Sequence, residues 1–209
     1  MARDMWTGWG IRTLSADHPA FNPYSYQTGS VWPDDNAIIA MGFKFYGFHA
    51  EAARVAYDVS VAASHFLLNQ LPELYTAPDR NDSNFPVQYL GANVPQAWAA
   101  GSVFMLTQAL LGFLPDAPRN KLYVDPFLPA WLPDLTVRDL RIGKHKLDIR
   151  FWREGEKTAF DVIKGDPQLV DRCDIASKAT ALRTASDMIR PTQSPAARSN
   201  KHQSGATNG

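Results

Sequence analysis

The stretch DDNAIIAMGFKFYGFHAEAARVAYDVSVAASHFLL, residues 34–68, decides the fold. Asp34, Asp35 and Asn36 stand directly before an apolar run at 37–41. A side-chain oxygen in that place satisfies free backbone N–H groups, so the triplet reads as the capped start of a helix. Gly47, just past Tyr46, suits the residue that ends it. A second helix is expected over about residues 49–68. Its Ala52, Val55, Ala56, Val59, Ala63, Phe66 and Leu67 recur every three or four positions and make one buried face.

Working outward, residues 71–94 carry Pro72, Pro78, Pro86 and Gly91 and read as a long irregular segment. A loop of that length inside a compact domain is usually functional. A third helix is expected over residues 95–111, opened by Pro95, with Trp98, Val103, Phe104, Leu106, Leu110 and Leu111 on its face. Residues 135–142 and 146–152 alternate apolar and polar side chains around Gly143 and Lys144, the pattern of a hairpin. Residues 122–124 and 159–163 read as further short strands. From 164 onward the chain is polar, and beyond 171 only Ile175, Leu182, Met188 and Ile189 offer much to bury. So little apolar surface does not offset ordering entropy, and disorder is expected there, with at most a marginal helix over 172–190. The expected organisation is therefore mainly α: a helical part over 1–120, a β appendage over 121–163 and a disordered tail over 164–209.

Composition bounds the function. The chain has 209 residues, enough for one domain with a sizeable core. Its formal net charge is zero, which argues against nucleic acid or an anionic membrane as a partner. Cys173 is the only cysteine, so no internal disulfide forms. The first ten residues lack an apolar signal core, and no run of about 18 apolar residues exists to span a bilayer. A soluble cytoplasmic protein is the expectation.

Glu73 is the leading chemical candidate. It lies in Leu71-Pro72-Glu73-Leu74-Tyr75, between apolar and aromatic neighbours. A poorly solvated carboxylate has a raised pKa and is a candidate general base; a surface Glu at a helix end is the competing reading. Trp9 and Arg12 stand in Gly8-Trp9-Gly10-Ile11-Arg12, where two glycines allow a tight turn that exposes the indole. They read either as a sugar platform with a hydroxyl-binding guanidinium or as a core Trp beside a structural ion pair. Tyr26 and Trp32 lie in an aromatic, hydrogen-bonding loop before the first helix and read as pocket-lining residues. Asp35 shares that loop and, like Asp34 and Asn36, also has the duty of a cap. Gln96, in a first helical turn, can face a ligand, and Trp98 is balanced between pocket and core. The histidines show no metal-ligand spacing, and neither a phosphate-cradling glycine loop nor a serine elbow is present. No metal or organic cofactor is implied.

The phrases GWGIRTLS, NPYSYQTGSVWP, LPELY, FPVQYLGANVPQAWAAGSVF, LYVDPFLPAWLPDL and LDIRFWREG resemble, in this order, bacterial amylo-α-1,6-glucosidases of the glycogen-debranching type. More broadly they resemble the six-hairpin glycosidases, including the mannosylglycerate-hydrolase-like group. The resemblance covers about residues 4–163. It implies an (α/α)6 toroid, here incomplete because three helices are read, with Glu73 as general base. It also implies an oligosaccharide or α-glucan substrate held by Trp9, Arg12, Tyr26, Trp32 and Trp98, to which Asp35 and Gln96 are added as substrate-binding candidates from their places before the first helix and at the start of the third. In inverting members the two carboxylates stand roughly 6.5–9.5 Å apart, leaving room for a water. The chain departs from the family in three respects. Family members are much longer, their general acid lies upstream of the matched region, and Asp34 stands where many relatives carry His. The expectation is a C-terminal part of such a hydrolase, weakly active or inactive alone. The alternatives are a carbohydrate-binding remnant, or a subunit that needs a separately encoded N-terminal half.

Overall fold

The computed structural model describes residues 3–81 and 84–178. Three helices, α1 (Pro33–Phe45), α2 (His49–Ala63) and α3 (Ala97–Leu111), pack on one another. Around them, among the described residues, lie eight strands in three small sheets, five of them of two to four residues. Within the long segment after α2, β1 (Tyr75–Thr76) pairs with β2 (Val87–Gln88). The second sheet joins β3 (Leu114–Asp116), β4 (Lys121–Val124) and β8 (Val170–Arg172), with β8 parallel to β4. The third is an antiparallel meander of β5 (Asp134–Ile142), β6 (His145–Glu154) and β7 (Lys157–Lys164). The described residues are thus mixed α and β, and the expectation of a mainly α chain, an incomplete toroid with a β appendage, is overturned. Strands of two to four residues leave no alternation to read, and β8 lies in sequence that looked too polar to fold.

The helices start close to, but not at, the residues read as their start signals: α1 begins ahead of the Asp34-Asp35-Asn36 triplet, and α3 begins at Ala97, so Pro95 lies outside it. α1 begins at Pro33, whose ring presets the first helical turn. Trp32 is the N-cap and makes no side-chain cap bond. Asp34 and Asp35 sit inside the first turn, where a negative charge meets the positive end of the helix dipole. Asn36, 0% exposed, is no cap: its amide donates to Ile11 O and Trp32 O and its Oδ1 accepts from Ile11 N. α2 stops at Ala63, so Leu67, expected on its buried face, is exposed, as is Leu68 beside it. α3 buries Ala99, Ser102, Leu106, Ala109, Leu110 and Leu111; Trp98, Val103 and Phe104 face outward, contrary to the expected face. Small residues at 99, 102 and 109 allow close approach to α1, which outweighs the larger side chains on the opposite side.

One apolar core lies among the helices and includes Val31, Val55, Val59, Tyr75 and Leu106. A second lies under the sheets, where Leu147, Ile149 and Phe151 on alternate positions of β6 are fully buried. β5 carries a bulge between Val137 and Leu140, with Asp139 at φ 53°. The apolar positions change phase there, from 135 and 137 to 140 and 142, and the extra residue keeps both sets on one face. Lys44, 1% exposed, ties the helices to the sheet side. Its ammonium bonds His49 Nδ1 at 2.8 Å and Asp125 O, and forms an ion pair with Asp125 Oδ2 at 3.1 Å. Gly112 follows α3 in the left-handed conformation, and a Cβ there would lie 2.6 Å from Asp125 O.

Residues 164–178, expected to be disordered, contribute β8 and bury Leu169, Val170 and Ile175. A helical turn starts at 175; the rest of the marginal helix and of the tail, from 179 on, lies outside the described residues. Among the described residues no helix is long and apolar enough to cross a membrane.

Candidate functional site

Three extended segments run side by side: Arg12 bridges Val31, and Val31 bridges Tyr75. Val31 and Tyr75 exchange backbone bonds of 2.9 and 3.0 Å. The N-terminal segment fits only because residue 10 is glycine; a Cβ there would meet Val31 Cγ1 at 2.7 Å. The pairing sets Trp32, beside Val31, near Glu73 and Leu74, beside Tyr75.

Glu73 is 4% exposed but lies just under the surface rather than deep in the core. Its Oε1 accepts from the Tyr26 hydroxyl at 2.5 Å. Its Oε2 accepts from both the backbone N and the Nδ2 of Asn93, each at 3.1 Å. The Glu73 N–H in turn donates to Asn93 O at 3.0 Å. The Tyr26 bond first and the Asn93 backbone bond second hold the Glu73 pKa below its usual value, against a smaller opposing effect of burial. The expectation of a carboxylate made basic by desolvation is therefore reversed, because hydrogen bonds to the charged form win. The same bond raises the Tyr26 pKa. Asn93 was not anticipated as its partner; an Asn in the loop that returns toward Glu73 was the available signal.

Aromatic rings collar this carboxylate. Tyr26 meets Trp32 edge-on at 4.9 Å and Tyr89 at 5.7 Å, and Trp32 meets Trp98 at 6.4 Å. The Trp32 indole N–H bonds Ser30 Oγ at 3.1 Å. Trp98 is 51% exposed, so the collar is open to solvent. Of the sequence candidates, Tyr26 thus bonds Glu73, Trp32 packs on Tyr26, and Trp98 joins the aromatic cluster through Trp32. Gln96 is the N-cap of α3, its Oε1 accepting from Ala97 N at 3.2 Å.

The other candidates lie elsewhere. Trp9 is buried, not displayed as its flanking glycines suggested, and stacks edge-on against His65 at 5.1 Å with Arg80 over its face at 4.7 Å. Arg12 is buried and paired with Asp79 at 2.5 Å, the structural ion pair of the competing reading. Arg12 and Asp35 line a shallow recess with Met5, Thr13 and Ile38, apart from the collar. Partial desolvation, then neighbouring Asp34, raises the Asp35 pKa although much of its surface is exposed.

A carboxylate that the sequence reading passed over lies beside Trp9. Asp58 is 4% exposed on α2, and burial pushes its pKa up to about 6. The Trp6 indole, close by but short of hydrogen-bond geometry, opposes that rise, followed by Arg54 and Arg80. The available signal was a charge on the buried stripe of α2, between Val55 and Ala62.

No family model matches the chain, and no curated protein matches it.

Proposed function

We propose that this chain is the C-terminal part of a glycoside hydrolase acting on α-glucans, of the α-1,6-glucosidase type, with Glu73 as its general base. The observation that carries the reading is the Glu73 carboxylate, held by Tyr26 and Asn93 inside a collar of indole and phenol rings. A general base must be ionised at working pH, and the lowered pKa ensures it. Oε1 accepts one bond, so a second acceptor position remains for an attacking water. Exposed Trp98 and Tyr26 offer faces on which the C–H side of a sugar ring stacks. In such a reaction Glu73 takes a proton from the water as the water oxygen bonds the anomeric carbon and the glycosidic C–O bond breaks, the leaving oxygen taking its proton from a general acid that the family resemblance places upstream of the matched region. The family resemblance supplies the substrate class.

A second reading, glucan binding without turnover, is favoured by one observation. The exposed Trp98 and Tyr26 rings can stack a sugar whether or not a general acid is present.

Calorimetric titration with isomaltotriose, and with cellotriose as the β-linked control, tests the proposal. Saturable binding of isomaltotriose alone, lost in Trp98→Ala, is the expected result. No binding, or equal binding of both sugars, sinks it. Binding that survives Glu73→Gln, with no hydrolysis by the wild type in any complex, selects the second reading.

A further inference from the structure

A cleft beside α2 is built from different residues than the collar. Its volume is ≈ 870 Å³, and its walls include Trp6, Trp9, Tyr57, Asp58, His65 and Arg80. Small-ligand pockets run from roughly 300 to 1,000 Å³. Three polar atoms of its lining residues are buried without a hydrogen-bond partner: Asp58 Oδ2, Trp6 Nε1 and Trp9 Nε1. Asp58 and Trp9 are 4% and 3% exposed. Groups of this kind left unpaired destabilise the fold, so a ligand that pairs them is favoured.

The chemistry of the three atoms selects the ligand. A carboxylate oxygen only accepts and an indole N–H only donates; a hydroxyl does both. Charge narrows the choice further. Arg54 and Arg80 already stand over the rings of Trp6 and Trp9, at 4.2 and 4.7 Å, where a ligand cation would sit. An anion would meet those guanidiniums but also the carboxylates of Asp58 and Asp79. A neutral ring rich in hydroxyls satisfies all of these groups together.

We propose that this cleft binds a neutral polyhydroxylated ring, a sugar or a cyclic polyol, with Asp58 accepting from its hydroxyls and the Trp6 and Trp9 indoles donating to them. The site shares no residue with the collar around Glu73, and the proposal does not rest on the hydrolase reading.

The test is a titration of the full chain with glucose and, separately, with inositol, followed through the indole N–H signals in a 15N-correlated spectrum. The expected result is a saturable shift of the Trp6 and Trp9 indoles. Asp58→Asn, which keeps the volume and removes the charge, weakens that binding by about tenfold or more, the loss of a charge-assisted bond. Glu73→Gln leaves it unchanged. Saturation by glucose but not inositol makes the site a sugar site, and the reverse a polyol site. Indole signals of Trp6 and Trp9 that stay still with both compounds overturn the proposal, as does unchanged affinity in a folded Asp58→Asn protein. Shifts confined to Trp32 and Trp98 also overturn it and place any sugar at the collar instead.

Discussion

The Tyr26 hydroxyl donates to Glu73 Oε1 at 2.5 Å, joining the loop before α1 to the segment after α2. That bond is the largest influence on the Glu73 pKa and lowers it. Tyr26→Phe removes it and leaves the Asn93 bonds in place. The Glu73 pKa is then expected to rise toward the ordinary carboxylate value, measured by a pH titration of its carboxyl carbon signal. An unmoved pKa would show that Asn93 alone holds the charge.

The sign of that shift also predicts acid sensitivity. Glu73 has a folded pKa below its ordinary 4.5, so its contribution to stability is present above that pH and is lost as pH falls through the folded value. In Tyr26→Phe that part of the acid destabilisation shrinks. Thermal unfolding of both proteins below pH 4.5 measures it.

Asp58 acts in the opposite sense. Its folded pKa of about 6 lies above its ordinary 3.8, so the folded state holds the proton more tightly. Stability from this group is fully present below pH 3.8 and falls as pH rises to about 6, then stays level. Asp58→Asn removes the slope. The gap in Tm between the variant and the wild type is expected to move in the variant's favour across that window, and a constant gap would refute the desolvated carboxylate.

Asn36 is the mechanical joint of the site. It makes three bonds, to Ile11 N, Ile11 O and Trp32 O, and is fully buried. Asn36→Ala is expected to cost roughly 2–4 kcal/mol, because backbone groups are left unpaired in the core. Denaturant unfolding gives the value. A loss of a few tenths would mean that water replaces the amide. Tyr75→Phe, which frees Trp9 O from its 2.7 Å bond, is expected to cost about 1–2 kcal/mol by the same reasoning.

The residues that were legible in the sequence are those with a period. Val55, Ala56 and Val59 announce α2, and Leu147, Ile149 and Phe151 announce β6. α3 is apolar on nearly every side, so periodicity gave no reason to prefer Ala99, Ser102 and Ala109 over Trp98, Val103 and Phe104 as its buried face. β1, β2, β3 and β8 are too short to alternate and left no pattern to read, but most of the strand content that makes the described residues mixed lies in β5, β6 and β7, whose alternation was legible. At the site, Glu73 with Tyr26, Trp32 and Trp98 could be named from sequence. The direction of the Glu73 pKa could not, because it turns on which donors a loop brings to two oxygens. Trp9 and Arg12 show the converse: Trp9 packs beneath Arg80 and Arg12 pairs with Asp79, partners that local sequence does not bring together.

The most direct test of the account is the carboxyl carbon signal of Glu73, followed by NMR at neutral pH as isomaltotriose is added. A ligand seated in the collar beside an ionised Glu73 shifts that signal saturably, while cellotriose leaves it in place, and Trp98→Ala abolishes the shift. A signal that ignores isomaltotriose, or that reports a protonated Glu73 at neutral pH, contradicts the account.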